Sequence, residues 1–208
     1  MQRIRLVYSK GDELKYTGNL DMHKVWERSF RRAGLPLAYS QGFHPQPKIH
    51  QACPLPLGFT SEEDLLDFWL DSDLTEPDSR EKLEKALQPG ITILEIRIVP
   101  PEEKPLQTQV ISATYEVVIN DEHRPADLEE LLDTLLNKNT CVRERRGKQY
   151  DLLPLIESLK IDECNPNILE MTLAARPSAT GRPEEVLDAL GIALQDATIS
   201  RKKLLLVK

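Results

Sequence analysis

The chain has 208 residues, 40% hydrophobic and 29% charged, with a net charge of −7, the make-up of a soluble globular protein holding one large core or two small ones. No apolar run reaches the roughly 18 residues that span a bilayer, and Met1-Gln2-Arg3-Ile4-Arg5 has no apolar signal region, so a cytoplasmic protein is expected. The cysteines, Cys53, Cys141 and Cys164, are widely spaced and odd in number, which excludes a disulfide framework and a metal or iron–sulfur site built from this chain alone; buried or inert thiols are expected.

In chain order, Ile4 to Tyr8 alternates as a strand. Thr17 or Asn19 is placed to cap a helix whose apolar positions, Met22, Val25, Trp26, Phe30 and Ala33, follow helical spacing, and Gly34 ends it. Pro47 to Cys53 and Leu65 to Leu70 read as extended segments, Ser79 to Leu87 as a short helix ended by Pro89-Gly90, and Ile91 to Val99 as a strand. Proline-rich residues 101–109 then read as a stiff linker between a first unit, 1–100, and a second, 110–208.

The second unit repeats the order. Thr114 to Ile119 reads as a strand, Pro125 to Leu136 as an amphipathic helix, and Cys141 to Arg145 as a strand entering a hairpin at Arg146-Gly147-Lys148. Ile156 to Ile161 and Ile168 to Ala174 read as strands, Pro183 to Leu194 as a helix, and Thr198 to Val207 as the last strand. The fold class is therefore α+β, two tandem ferredoxin-like (βαββαβ) units with antiparallel sheets.

Charge is unevenly spread. Residues 1–60 carry nine Lys/Arg against four Asp/Glu, net +5, and the remainder 18 against 30, net −12. A basic end on an acidic protein is suited to docking a polyanion locally, and equally to a solvated face. Lys24, Arg28, Arg31 and Arg32 fall at i, i+4, i+7 and i+8, opposite the apolar stripe of their helix. The helix feeds a loop, Ser40-Gln41-Gly42-Phe43-His44-Pro45-Gln46-Pro47-Lys48-Ile49-His50, in which prolines remove backbone donors and frame His44, Lys48 and His50. An imidazole and an ammonium suit metal-independent RNA cleavage, His44 or His50 moving protons and Lys48 stabilising a charged phosphorane, while Tyr39 and Phe43 suit base stacking. No acidic residue lies between Glu27 and Glu62, and His44-x5-His50 is not a ligand spacing, so no metal site is expected.

Tyr16-Thr17-Gly18-Asn19-Leu20-Asp21, Phe30-Arg31-Arg32-Ala33-Gly34-Leu35-Pro36, Gly42-Phe43-His44-Pro45 and Pro54-Leu55-Pro56-Leu57-Gly58 resemble the radical-SAM-associated family of uncharacterised proteins (DUF2344). Tyr150 to Ile156 and Gly181 to Leu187 extend the resemblance along most of the chain. It implies a radical-SAM protein, encoded nearby or fused, as partner, with the iron–sulfur cluster and S-adenosylmethionine on that partner and no cofactor in this chain. Members of that family often carry histidine where this chain has Asn19 and Gln46, which speaks against a multi-histidine site. Element order and the Gly42-Phe43 region also resemble the tandem ferredoxin-like CRISPR RNA-processing endoribonucleases.

The leading expectation is a non-catalytic accessory or substrate-binding protein, for RNA above all, with Lys24, Arg28, Arg31 and Arg32 on phosphates and Tyr39, Phe43, His44 and Lys48 at the centre of the site. Two others stay open: an endoribonuclease using His44, Lys48 and His50, and a protein-docking module. Arg143, Arg145, Arg146 and Lys148, like Arg201-Lys202-Lys203, read as a further binding surface or as solubilising charge. Pro177 to Arg182 lacks a phosphate-binding fingerprint and reads as a strand-to-helix turn.

Overall fold

Alternation in the first residues sets up the first sheet. In the computed structural model, which describes residues 1–207, strand β1 (Gln2–Lys10) buries Ile4, Leu6 and Tyr8 on one face and turns Arg3 and Arg5 to the other. Helix α1 (Asn19–Arg32), strands β2 (Ile49–Gln51) and β3 (Thr60–Leu70), helix α2 (Glu76–Glu84) and strand β4 (Ile91–Val99) follow. Antiparallel β3 and β4 flank β1, and β2 pairs with β3, giving the neighbour order β4-β1-β3-β2. Met22, Trp26 and Phe30 of α1 and Leu83 of α2 fill the core against Ile4, Leu6, Leu66 and Phe68. The rings lock this layer: Trp26 meets Tyr8 edge-on at 4.8 Å and stacks on Phe30 at 5.5 Å, which stacks on Phe68 at 4.4 Å.

Helix ends follow backbone chemistry. Neither Thr17 nor Asn19 caps α1; Gly18 stands at the cap in extended geometry and Asn19 is the first helical residue. At the other end Gly34, at φ 65°, lets the Leu35 N–H reach the Phe30 carbonyl and its own N–H reach Arg31. Gly34→Ala is expected to cost about 1 kcal/mol by forcing a β-carbon into that left-handed geometry, read as a lowered urea midpoint. Helix α2 starts earlier than Ser79, because Thr75 Oγ1 accepts the Asp78 N–H at 3.2 Å and Pro77 suits the first turn.

Residues 101–109 are not a free linker. They belong to the first compact unit, Met1–Val110. Their short helix α3 (Leu106–Gln109) buries Leu106, and Arg3 donates to the Glu103 and Lys104 carbonyls at 2.8 and 2.9 Å. Prolines stop β4 from continuing, but buried guanidiniums hold the chain to the sheet.

The second unit, Ile111–Lys208 by the same division, contains β5 (Val110–Ile119), α4 (Leu128–Leu136), β6 (Val142–Arg145), β7 (Lys148–Asp151), β8 (Ile156–Ile161), β9 (Ile168–Arg176), β10 (Ala179–Thr180), α5 (Pro183–Ala189) and β11 (Ala197–Leu206). Its main strands run in the order β11-β5-β9-β8, with β10 also on β9 and β6-β7 as a separate hairpin. The two units share one neighbour order of their main strands, and the class is α+β with mostly antiparallel pairing. Helix α4 starts at Leu128, not Pro125, because a short 3-10 turn at Asp121–His123 precedes it. Helix α5 stops at Ala189 rather than Leu194, followed by Gly191 at φ 73°. No helix among the described residues is long and apolar enough to cross a membrane.

Candidate functional site

The apolar stripe of α1 faces the core, so its opposite side is presented to solvent: Lys24, Arg28, Arg31 and Arg32 are all exposed. Lys24 pairs with Asp21 at 3.2 Å and Arg31 with Glu27 at 2.8 Å, while Arg28 and Arg32 make no ion pair among the described residues. Exposed pairs of this kind contribute at most about 1 kcal/mol, so a phosphate displaces them at little cost.

The loop after α1 is an ordered hairpin. Tyr39 bridges Pro47, the Ser40 N–H reaches the Gln46 carbonyl at 2.8 Å, Ser40 Oγ accepts the Gln46 N–H at 2.9 Å, and the Lys48 N–H reaches Ala38 at 2.9 Å. Residues 41–46 project beyond these bonds and are exposed, with Gly42 at φ 129° making the bend. Phe43 at the tip is 102% exposed, an aromatic face wholly in water. His44 stands beside it, also exposed. Arg31 Nη2 donates to the Tyr39 hydroxyl at 3.3 Å, tying the end of the basic helix to the base of the hairpin. Lys48 is half-buried there, its ammonium 3.4 Å from Met1 Sδ.

His50 lies on the sheet face turned away from the helices. It pairs in register with Asp67, which faces Arg5, which faces Arg97, so one row crosses β2, β3, β1 and β4. Asp67 is fully buried and accepts from Arg5 Nε at 2.7 Å and Arg3 Nε at 2.7 Å. Glu103 closes the row, accepting from Arg5 Nη1 at 2.6 Å and Arg97 at 2.9 and 3.0 Å. The His50 ring meets Trp69 edge-on at 4.8 Å. Partial burial pushes its imidazole below the usual histidine value, against the pull of Asp67, and Arg3, His23 and Lys48 push the same way.

A polar pocket of about 310 Å³ is lined by His50 with Asn19, His23, Gln51 and Gln107, among others. Gln51 Nε2 donates to the Asn19 carbonyl at 3.3 Å across it. His44 and Lys48 do not line this pocket. Sequence reasoning passed over His23, Gln51 and Gln107; the available signal was Asn19 and His23 at i and i+4, which share one face of α1. The cysteines are not buried as expected: Cys53 and Cys141 are half-buried and Cys164 is exposed. Among the described residues no three His, Cys, Asp or Glu side chains cluster as metal ligands do.

Comparison with known proteins gives a family and a distant likeness to solved structures. The family model described as "Uncharacterized protein conserved in bacteria (DUF2344)" matches residues 3–183. No curated protein matches the chain. Among solved structures, the chain is similar to a chain in the crystal structure of a Cbf5-Nop10-Gar1 complex, with a TM-score of 0.47 and 8% sequence identity. That match covers 100% of this chain and 48% of the other, so this chain spans about half its length.

Proposed function

Starting from a chain that belongs to the DUF2344 family, we propose an RNA-binding accessory protein that presents substrate to a radical-SAM partner and performs no chemistry alone. The observation that carries this reading is Phe43, fully exposed at the tip of a hairpin whose base is bonded to the basic helix through Arg31 and Tyr39. An exposed aromatic face on a hairpin tied to a basic helix suits single-stranded nucleic acid, which takes stacking for the base and cations for the backbone. A cluster and S-adenosylmethionine belong on the partner in this reading, since the three cysteines stand 88 and 23 positions apart and a radical-SAM cluster needs closely spaced thiolates. The ferredoxin-like reading of both units rests on their shared strand order.

The test is single-stranded RNA binding measured across salt concentrations. Phe43→Ala is expected to weaken binding by about 1–3 kcal/mol. Arg28→Ala with Arg31→Ala is expected to lower affinity and reduce the log–log salt slope by about 1.4. RNA binding that responds to neither change overturns the proposal; loss of partner copurification with no RNA affinity would assign the surface to protein docking instead.

A second reading, metal-independent RNA cleavage, is favoured by a different observation: His50 and His23 line one pocket. Cleavage in that reading falls on His50, away from His44. Activity that survives His50→Ala removes it.

A further inference from the structure

The second unit holds a groove of about 590 Å³ between the β6-β7 hairpin and the turn at 177–182. Four cations line it, Arg145, Arg146, Lys148 and Arg182, together with Tyr150 and a single carboxylate, Asp151. That carboxylate is already engaged: its Oδ1 accepts the Cys141 N–H at 2.8 Å and the Leu153 N–H at 3.1 Å, closing the base of the hairpin. Arg145 lies 3.8 Å from Glu184, while Arg146 and Lys148 have no ion pair among the described residues. The lining thus keeps a net positive charge, four cations against Asp151, with Glu184 beside Arg145.

Solubilising charge on a hairpin tip needs no fixed walls, and here both walls are fixed. On one side Arg143 holds the hairpin to α5, donating to Asp188 at 2.6 Å and to the Glu185 carbonyl at 2.9 Å. On the other, Gly181 is wedged so closely that a β-carbon would lie 2.9 Å from the Leu155 carbonyl oxygen and 3.1 Å from Leu173 Cβ. The tip itself is a tight turn with Arg146 at φ 51° and Gly147 at φ 74°. Asparagine, aspartate or glycine is favoured at the first of those positions, so an arginine there occupies an unfavourable backbone region. Burial, then Glu185, pushes the Tyr150 phenol above its ordinary value.

We propose that this groove binds a phosphorylated small molecule of nucleotide size. Its volume falls within the roughly 300–1,000 Å³ of small-ligand pockets, and guanidinium forks match phosphate oxygens two at a time. Phosphate is the chemistry that neutralises several cations within one such volume. The site lies in the second unit and makes no use of the α1 surface.

The experiment is calorimetric titration of ADP into the full chain, with inorganic pyrophosphate as competitor. Saturable ADP binding displaced by pyrophosphate is expected, weakened roughly tenfold or more by Arg146→Ala with Lys148→Ala. Both side chains are exposed, so this variant keeps the fold. Arg28→Ala with Arg31→Ala is expected to leave ADP affinity unchanged, which separates this site from the RNA-binding proposal. Absence of saturable ADP binding, failure of pyrophosphate to compete, or equal affinity in the Arg146/Lys148 variant overturns the inference. Single-stranded RNA binding that needs Arg146 and Lys148, without ADP binding, would assign the groove to a nucleic-acid backbone and overturn it too.

Discussion

Asp67→Ala is expected to destabilise the first unit by about 3–5 kcal/mol, because it leaves a buried guanidinium without its principal counter-charge. Arg5 is 2% exposed and Asp67 0%. Asp67 Oδ1 and Oδ2 accept from Arg5 Nε and Nη2 at 2.7 and 3.0 Å. Without Asp67, Arg5 retains only Glu103 at 2.6 Å. Water cannot replace the lost carboxylate in a site so closed. The measurement is urea unfolding followed by tryptophan fluorescence, which reports the first unit selectively because Trp26 and Trp69 are the protein's two tryptophans. The same reasoning expects Arg5→Met with Asp67→Leu to recover part of the loss, since it removes the buried Arg5 charge but leaves Arg3 without its carboxylate. A single variant near wild-type stability would show that the row is solvated in solution.

Glu103 is expected to make the first unit acid-sensitive in a defined window. Hydrogen bonds from Arg97, then from Gln109, and the nearby Arg5 charge hold its carboxyl well below the ordinary 4.5, at about 2, against the opposing effect of burial. A carboxylate lowered by folding contributes fully above pH 4.5 and loses that contribution as pH falls toward 2. At about 1.4 kcal/mol per pH unit the shift sets an upper bound of about 3 kcal/mol on the contribution, which solvent screening at this partly exposed side chain reduces. Glu103→Gln is expected to remove it: the stability difference between wild type and variant should be largest above pH 4.5 and vanish near pH 2. A difference that stays constant across the window would mean that Glu103 acts through shape rather than charge.

These two residues also show where sequence reading stopped. Arg5 and Asp67 are 62 positions apart, and nothing local marks them as partners. Only the register of β1 on β3 makes them neighbours, and a shift of one residue would send each to the opposite face. Glu103 sits in a stretch whose prolines read as a linker, and its role depends on cations from two strands. His23 was passed over for the same reason: its pocket is completed by Gln51 and Gln107, far along the chain. By contrast the basic stripe of α1 was legible, because helical periodicity alone separates Lys24, Arg28, Arg31 and Arg32 from Met22, Trp26 and Phe30. The loop was legible as framing side chains, from its prolines; that it closes as a bonded hairpin was not. Phe43 reads from sequence either as a stacking face or as core, and only the hairpin geometry leaves it clear in water.

Local periodicity was sufficient for most of the element types and the α+β class, because a helix or strand declares its buried face within a few residues of itself. Pairing decided the rest. The row from His50 through Asp67 and Arg5 to Arg97, the pocket shared by His23 and His50, and the cation-lined groove beside Gly181 each bring together residues distant in sequence. Charge compensation and cavity shape are properties of such encounters, which depend on strand register and close backbone approach rather than on any neighbouring stretch of chain.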